Sequence, residues 1–149
     1  MDLSEKINTD LKIAMKSGDS VRLNTVRAIR SKIIELSKRG TGSVLTQEDE
    51  LTILLGEVKK RKEAIEMYQK GGRTDLVDQE QRELEIINEY LPKQLSGEEA
   101  MEIVKKIMSD VGAVSAKDFG KVMSLAMKEL KGKFDGKVVQ EIVKQQLGG

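Results

Sequence analysis

Apolar side chains recur along this chain at intervals of three and four residues, which is the spacing of one face of an α-helix. Near the amino terminus the repeat is carried by Leu3, Ile7, Leu11, Ala14 and Met15. The alternation of polar and apolar residues that indicates a half-buried strand is absent from the sequence. The pattern therefore predicts an all-α protein.

Stop signals divide the amino-terminal part of the chain into four predicted helices. The stops are Gly18, the loop Gly40-Thr41-Gly42-Ser43, and Gly71-Gly72. Thr46, with Asp49 three residues later, predicts a capping box at the start of the third helix. The fourth helix is expected to be capped near Thr74.

The single proline, Pro92, indicates a domain boundary. Proline disfavours helical geometry at the residue before it, so the fourth helix must end by Leu91. Shorter helices begin directly afterwards, the first with a capping box of Ser96 and Glu99. We therefore predict an N-terminal bundle of about four helices over residues 1–92 and a small three-helix domain over residues 93–149.

Composition excludes several kinds of chemistry. The chain has no Cys and no His, so disulfides, thiolate metal sites and imidazole proton transfer are unavailable to it. It also lacks a glycine-rich nucleotide loop. We therefore expect no catalytic residues, no metal and no cofactor. The start of the chain has no signal-peptide pattern and no apolar run is long enough to span a membrane, so a cytoplasmic location without membrane contact is expected.

Charge is unevenly distributed although the net charge is only +1. The second predicted helix is basic and the fourth is acidic. Arg30 falls within an apolar arc on a helical wheel, and so does Glu80. Because a charge on a buried face needs a partner, we predict a structural ion pair of Arg27 or Arg30 with Glu80 or Glu83. The alternative is that these arginines contact nucleic acid.

A second basic region lies near the carboxyl end, around a glycine-containing turn at the start of the last predicted helix. The residues predicted to contact RNA are Lys121, Lys131, Gly132, Lys133, Gly136 and Lys137. Lysines and free backbone amides at a helix start suit phosphate, and glycines permit a close approach of the backbone. The chain has few aromatic residues for base stacking, so recognition of RNA shape and backbone is expected.

Six short segments, in this order, resemble the GatB/YqeY family. They are Val26-Arg27-Ala28-Ile29-Arg30, Glu57-Val58-Lys59-Lys60-Arg61-Lys62, Gly72-Arg73-Thr74-Asp75-Leu76-Val77, Tyr90-Leu91-Pro92-Lys93-Gln94-Leu95, Phe119-Gly120-Lys121-Val122-Met123 and Lys131-Gly132-Lys133-Phe134-Asp135-Gly136. The likeness covers essentially the whole chain. It implies a helical bundle followed by a domain related to the helical tail of GatB, a subunit of the glutamine-dependent tRNA amidotransferase. In that enzyme the tail helps to hold tRNA, and catalysis uses another domain.

Three functions stay open at this point. The first is a non-catalytic tRNA-associated module that resembles the amidotransferase tail, with a translation-related protein as a further partner. The second is a protein-interaction adaptor that uses Met101, Met108, Met123 and Met127. The third, which the family resemblance implies, is an accessory to carbon–nitrogen ligation with glutamine as amido-N donor; no catalytic domain for that reaction is recognisable in this chain.

Overall fold

The computed structural model describes residues 2–39 and 45–148. All regular elements in these residues are helical, which confirms the predicted all-α class. They are α1 (Leu3–Ser17), α2 (Ser20–Arg39), α3 (Gln47–Lys70), α4 (Thr74–Asn88), α5 (Gly97–Val111), a 3₁₀ helix (Ala116–Asp118), α6 (Phe119–Leu130) and α7 (Gly136–Gln146). The predicted loop Gly40-Thr41-Gly42-Ser43 lies outside the described residues. No helix in the described part of the chain is long and apolar enough to cross a membrane.

The chain divides into two compact units, which we call the N-terminal unit (Met1–Leu91) and the C-terminal unit (Pro92–Gly149). In the N-terminal unit α2 packs against α1, α3 and α4, and α3 also packs along α4. Its core includes Ile7, Val26, Ile29 and Ile87, all fully buried. This unit can therefore bury apolar side chains without help from the rest of the chain.

The C-terminal unit has a core of its own, to which α5, α6 and α7 each contribute. Val104, Val122, Leu130, Val139 and Val143 are fully buried there. Every pair among these three helices is in contact. Because each unit has a separate apolar core, each meets the main physical requirement for a domain.

Side-chain caps fix where several helices begin. Thr46 accepts from the Asp49 amide and Ser96 from the Glu99 amide, and each pair completes a capping box as predicted. The start of α4 differs from the prediction. Its N-cap is Arg73 and no side chain caps it; instead the Arg73 guanidinium donates to both carboxylate oxygens of Asp75, at 3.2 and 3.0 Å.

Candidate nucleic-acid interface

The turn between α6 and α7, together with the start of α7, carries five of the six residues predicted to contact RNA. Gly132 adopts a left-handed conformation with φ of 80°, which favours glycine. Two bonds from the segment before α5 hold the turn: Gln94 Nε2 donates to the Gly132 carbonyl at 2.7 Å, and the Leu95 amide donates to the Lys133 carbonyl at 2.9 Å. The backbone of this turn is therefore fixed from within the C-terminal unit.

The four predicted lysines differ in exposure and position. Lys121, Lys133 and Lys137 are exposed, whereas Lys131 is half-buried. Lys131, Lys133 and Lys137 lie together at the turn and the start of α7. Lys121 lies near the opposite end of α6, about 14 Å away along the helix axis at 1.5 Å per residue. The structure therefore groups three of the lysines and separates the fourth by the length of one short helix.

The two glycines differ in their surroundings. Gly132 is buried, and its carbonyl already accepts from Gln94. A Cβ added at Gly136 would lie 3.4 Å from Met127 Cε, an ordinary contact with the end of a flexible side chain, so packing does not require a glycine there. The Gly132 backbone is therefore engaged within the C-terminal unit and does not offer an open surface for RNA to approach.

The start of α7 is occupied by an acidic side chain of the chain itself. Asp135 is the N-cap, and its Oδ1 accepts from the Lys137 amide at 2.9 Å. A carboxylate at this position interacts favourably with the positive end of the helix dipole. It also repels a second anion, so any phosphate contact here depends on lysine side chains and not on backbone amides.

A buried ionic cluster lies between α3 and α4, and it corrects the ion-pair prediction. Its only arginine is Arg61, whose Nη1 donates to Glu57 Oε2 at 2.8 Å. Arg61 Nε lies 4.0 Å from Glu80 Oε2, and Arg61 Nη2 lies 3.9 Å from Glu83 Oε1. The Arg61 side chain is 10% exposed and that of Glu57 only 3%. We call Glu57, Arg61, Glu80 and Glu83 the α3–α4 cluster.

The arginines predicted to pair with these carboxylates lie elsewhere. Arg27 and Arg30 are both exposed, and Arg30 Nε donates to Asn8 Oδ1 at 3.2 Å. The cation near Glu80 and Glu83 is therefore Arg61, on α3, and neither Arg27 nor Arg30. The physical reason is that the buried face of α2 runs through Ile29, which turns Arg30 toward the solvent.

Crowding of carboxylates changes the acidity of Glu83. Burial raises the pKa of its carboxyl, and the nearby Glu80 carboxylate raises it further, whereas Arg61 opposes the change. One guanidinium is therefore shared among more carboxylates than it can neutralise. Lys60 reaches the cluster from the surface, with Nζ 3.7 Å from Glu57 Oε2.

The sequence carries a signal for the burial of Glu57 and Arg61, because they fall three and seven residues after the buried Leu54. That spacing places all three on one helix face.

The methionines proposed for an adaptor are half-buried and pack against the C-terminal core. They are Met101, Met108, Met123 and Met127.

No group of three or more His, Cys, Asp or Glu side chains in the described residues is placed to hold a metal ion. The ionic clusters that the structure does describe pair acids with arginine or lysine. Such pairs satisfy buried or surface charges and do not by themselves indicate a reaction.

Comparison with known proteins gives three relatives. The protein named Altered inheritance of mitochondria protein 41, mitochondrial, of Pyrenophora tritici-repentis is 33% identical over 153 residues, covering 93% of this chain and 79% of that protein. A protein of the same name from Lachancea thermotolerans is 33% identical over 91 residues, covering 61% and 49%. An uncharacterized protein of Schizosaccharomyces pombe is 32% identical over 95 residues, covering 64% and 76%.

These comparisons correct one expectation and confirm another. The expected cytoplasmic location is wrong on this finding, because two relatives are named as mitochondrial proteins, which points to mitochondria instead. The family resemblance is confirmed, since the model of a family described as Yqey-like protein matches residues 4–147. This match spans nearly the whole sequence, and the chain therefore belongs to the YqeY family.

Proposed function

We propose that this chain is a non-catalytic, tRNA-associated helical module whose C-terminal unit holds RNA phosphates with lysine side chains. The observation that carries the proposal is the exposure of Lys121, Lys133 and Lys137 on one small unit whose turn is fixed by Gln94 and Leu95. Lysines on a fixed backbone lose less conformational entropy on binding than lysines on a flexible tail. The set is therefore suited to a polyanion.

The mode of recognition follows from what surrounds these lysines. Phe119 and Phe134 pack against the C-terminal core and are not free to stack on bases. Asp135 occupies the start of α7, which leaves lysine side chains as the phosphate ligands. Such contacts position an RNA backbone but carry no base sequence. Selectivity for tRNA would then come from the shape of the folded RNA.

A supporting role fits the composition better than catalysis does. The whole sequence lacks His and Cys, the side chains that most often act as proton carriers and nucleophiles near neutral pH. Buried carboxylates in the α3–α4 cluster are held by Arg61 and Lys60. The module would therefore act by binding, alone or beside a translation-related protein.

The proposal is tested by fluorescence anisotropy of the full chain with labelled tRNA over a series of salt concentrations. Wild type should bind more weakly as salt rises, because each phosphate contact releases counterions. The triple variant Lys121→Glu/Lys133→Glu/Lys137→Glu should bind about tenfold more weakly or worse, with a salt slope smaller by about 2–3. Lys131 is left unchanged because it is half-buried.

The matched control is Lys12→Glu/Lys59→Glu/Lys70→Glu, which makes the same change in net charge with exposed lysines of the N-terminal unit. It should retain most of the affinity. Equal losses in the two triple variants, or binding that does not depend on salt, would rule out the proposed surface. Glutamine- and ATP-dependent amidation of Glu-tRNA by the purified chain alone would rule out a non-catalytic module.

A further inference from the structure

A cleft of about 340 Å³ opens between α2 and α3 in the N-terminal unit. Leu36 and Ile53 supply its apolar surface. Its volume lies at the lower end of the range of roughly 300–1,000 Å³ that small-molecule sites occupy, and clefts between the helices of bundles are common places for such sites. The cleft is far smaller than a groove for a folded partner would need to be.

Charged groups of both signs line each side of this cleft. On α2, Lys32 Nζ lies 3.3 Å from Glu35 Oε2. On α3, Lys60 Nζ lies 3.7 Å from Glu57 Oε2. Helix α2 therefore presents one ammonium and one carboxylate beside an apolar floor, and α3 adds the Lys60 ammonium, whereas Glu57 is buried and held by Arg61. A ligand that carries only one charge could match half of this arrangement.

Gly56 gives an independent indication that the space is kept open. It lies within α3 and lines the cleft. Glycine in a helix interior is less stable than alanine because it loses more backbone freedom on folding. A Cβ added at Gly56 would meet no atom within 4 Å, so packing does not require a glycine here. The absence of a side chain at Gly56 leaves additional space in the cleft.

We propose that this cleft binds a small zwitterion, with the chemistry of a free α-amino acid. The ligand ammonium lies against Glu35, and its carboxylate lies against Lys32 and Lys60. Its side chain rests on the apolar floor. Charge-assisted hydrogen bonds are the stronger ones in proteins, and a partly enclosed site strengthens them further. This site belongs to the N-terminal unit and is independent of the lysines proposed to contact RNA.

The test is a titration of the full chain with each of the twenty free amino acids, followed by amide NMR chemical shifts. At least one amino acid should shift residues of α2 and α3 that line the cleft. Its decarboxylated amine and its N-acetyl derivative should each bind about tenfold more weakly or worse, because each lacks one charge-assisted contact. Equal binding of either derivative would overturn the proposal, and so would the absence of shifts at the cleft with every amino acid.

Variants of Gly56 complete the test. Gly56→Leu should abolish the amino-acid shifts while tRNA binding is unchanged, which separates this site from the proposed RNA surface. Gly56→Ala should raise the melting temperature and weaken amino-acid binding together. The control Gly120→Ala, at another helical glycine with open space around it, should leave amino-acid binding unchanged. Undiminished amino-acid binding by Gly56→Leu would overturn the proposal.

Discussion

Arg61 lies close to three carboxylates in the N-terminal unit. Its guanidinium contacts Glu57 directly and lies within 4.0 Å of carboxylate oxygens on both Glu80 and Glu83. A guanidinium suits this position because it stays charged and offers several donors in one plane. Removal of the cation would leave buried carboxylates without compensation.

Replacement of Arg61 with methionine should therefore be strongly destabilising. For Arg61→Met we expect the free energy of unfolding to fall by about 3 kcal/mol, the usual cost of removing one partner of a buried ion pair. Arg30→Met is the matched control, because Arg30 is exposed, and it should change stability by less than about 0.5 kcal/mol. Urea unfolding followed by circular dichroism measures both. Equal effects of the two substitutions would contradict the importance of Arg61.

Glu83 should make stability depend on pH in an unusual direction. Burial and the Glu80 carboxylate raise the pKa of Glu83 in the folded protein, so the folded state keeps a proton that the unfolded state releases above about pH 4.3. The contribution of this group to stability is complete below that pH and is lost as the pH rises through its folded pKa.

Glu83→Gln removes this titration, so its free energy of unfolding relative to wild type should rise between about pH 4 and pH 7. The measurement is a set of urea melts at several pH values. Glu85→Gln, at an exposed position of the same helix, serves as the control. A difference between Glu83→Gln and wild type that stays constant with pH would show that Glu83 titrates normally.

Helix α5 begins at a complete capping box, and this element can be tested in isolation from the ionic cluster. Ser96 Oγ accepts from the Glu99 amide at 3.1 Å, and Glu99 Oε1 accepts from the Ser96 amide at 3.1 Å. Hydrogen bonds from the Ser96 backbone amide and side chain lower the pKa of Glu99. Two amides at the start of the helix are thus satisfied by side chains.

Ser96→Ala removes one of these bonds and should lower the free energy of unfolding by about 1 kcal/mol. Ser124→Ala is a suitable comparison, because Ser124 is exposed within α6, where alanine is the better helix former. Its stability should be unchanged or slightly higher. Thermal melts at neutral pH distinguish the two, and a loss with Ser124→Ala as large as with Ser96→Ala would contradict the capping argument.

Helix ends were predictable from sequence where local chemistry decides them. Thr46 and Ser96 cap their helices through residues only three positions away, and Gly18 and Gly112 end α1 and α5 in the left-handed conformation. No tertiary contact is needed for such signals. Helix α4 begins at Thr74, near the predicted position, but the expected side-chain cap is absent because the N-cap residue is Arg73.

The rotation of α2 was harder to predict, and it explains the error about Arg30. Val26, Ile29 and Ile33 form the buried stripe, whereas Ile34 is 38% exposed. An apolar arc that includes Ile34 contains Arg30, whereas the observed stripe through Val26, Ile29 and Ile33 does not. Only packing against neighbouring helices settles which of two adjacent isoleucines is buried. For the same reason, the residue that pairs with Glu80 and Glu83 could not be predicted from the sequence pattern of each helix alone, because the pairing depends on how the helices pack.

Each unit of the molecule has its own core, so the C-terminal unit should fold alone. We expect a fragment of residues 92–149 to be helical and to unfold cooperatively, although its small size limits its stability. A fragment of residues 96–149 keeps the Ser96 cap but lacks Gln94 and Leu95, which hold the turn after α6, and should melt at a lower temperature. Circular dichroism with temperature measures both. A non-cooperative melt of the longer fragment would show that the unit depends on the rest of the chain.

The acidic N-cap of α7, Asp135, affects which anions can compete with RNA for the C-terminal unit. Asp135 already satisfies the Lys137 amide, so a lone inorganic phosphate gains little there. Because the lysines are separated by about 14 Å, a ligand that contacts several of them at once binds more tightly than one that contacts a single lysine. Avidity of this kind should make affinity rise steeply with oligonucleotide length, and millimolar free phosphate should displace little of a long strand beyond its effect on ionic strength.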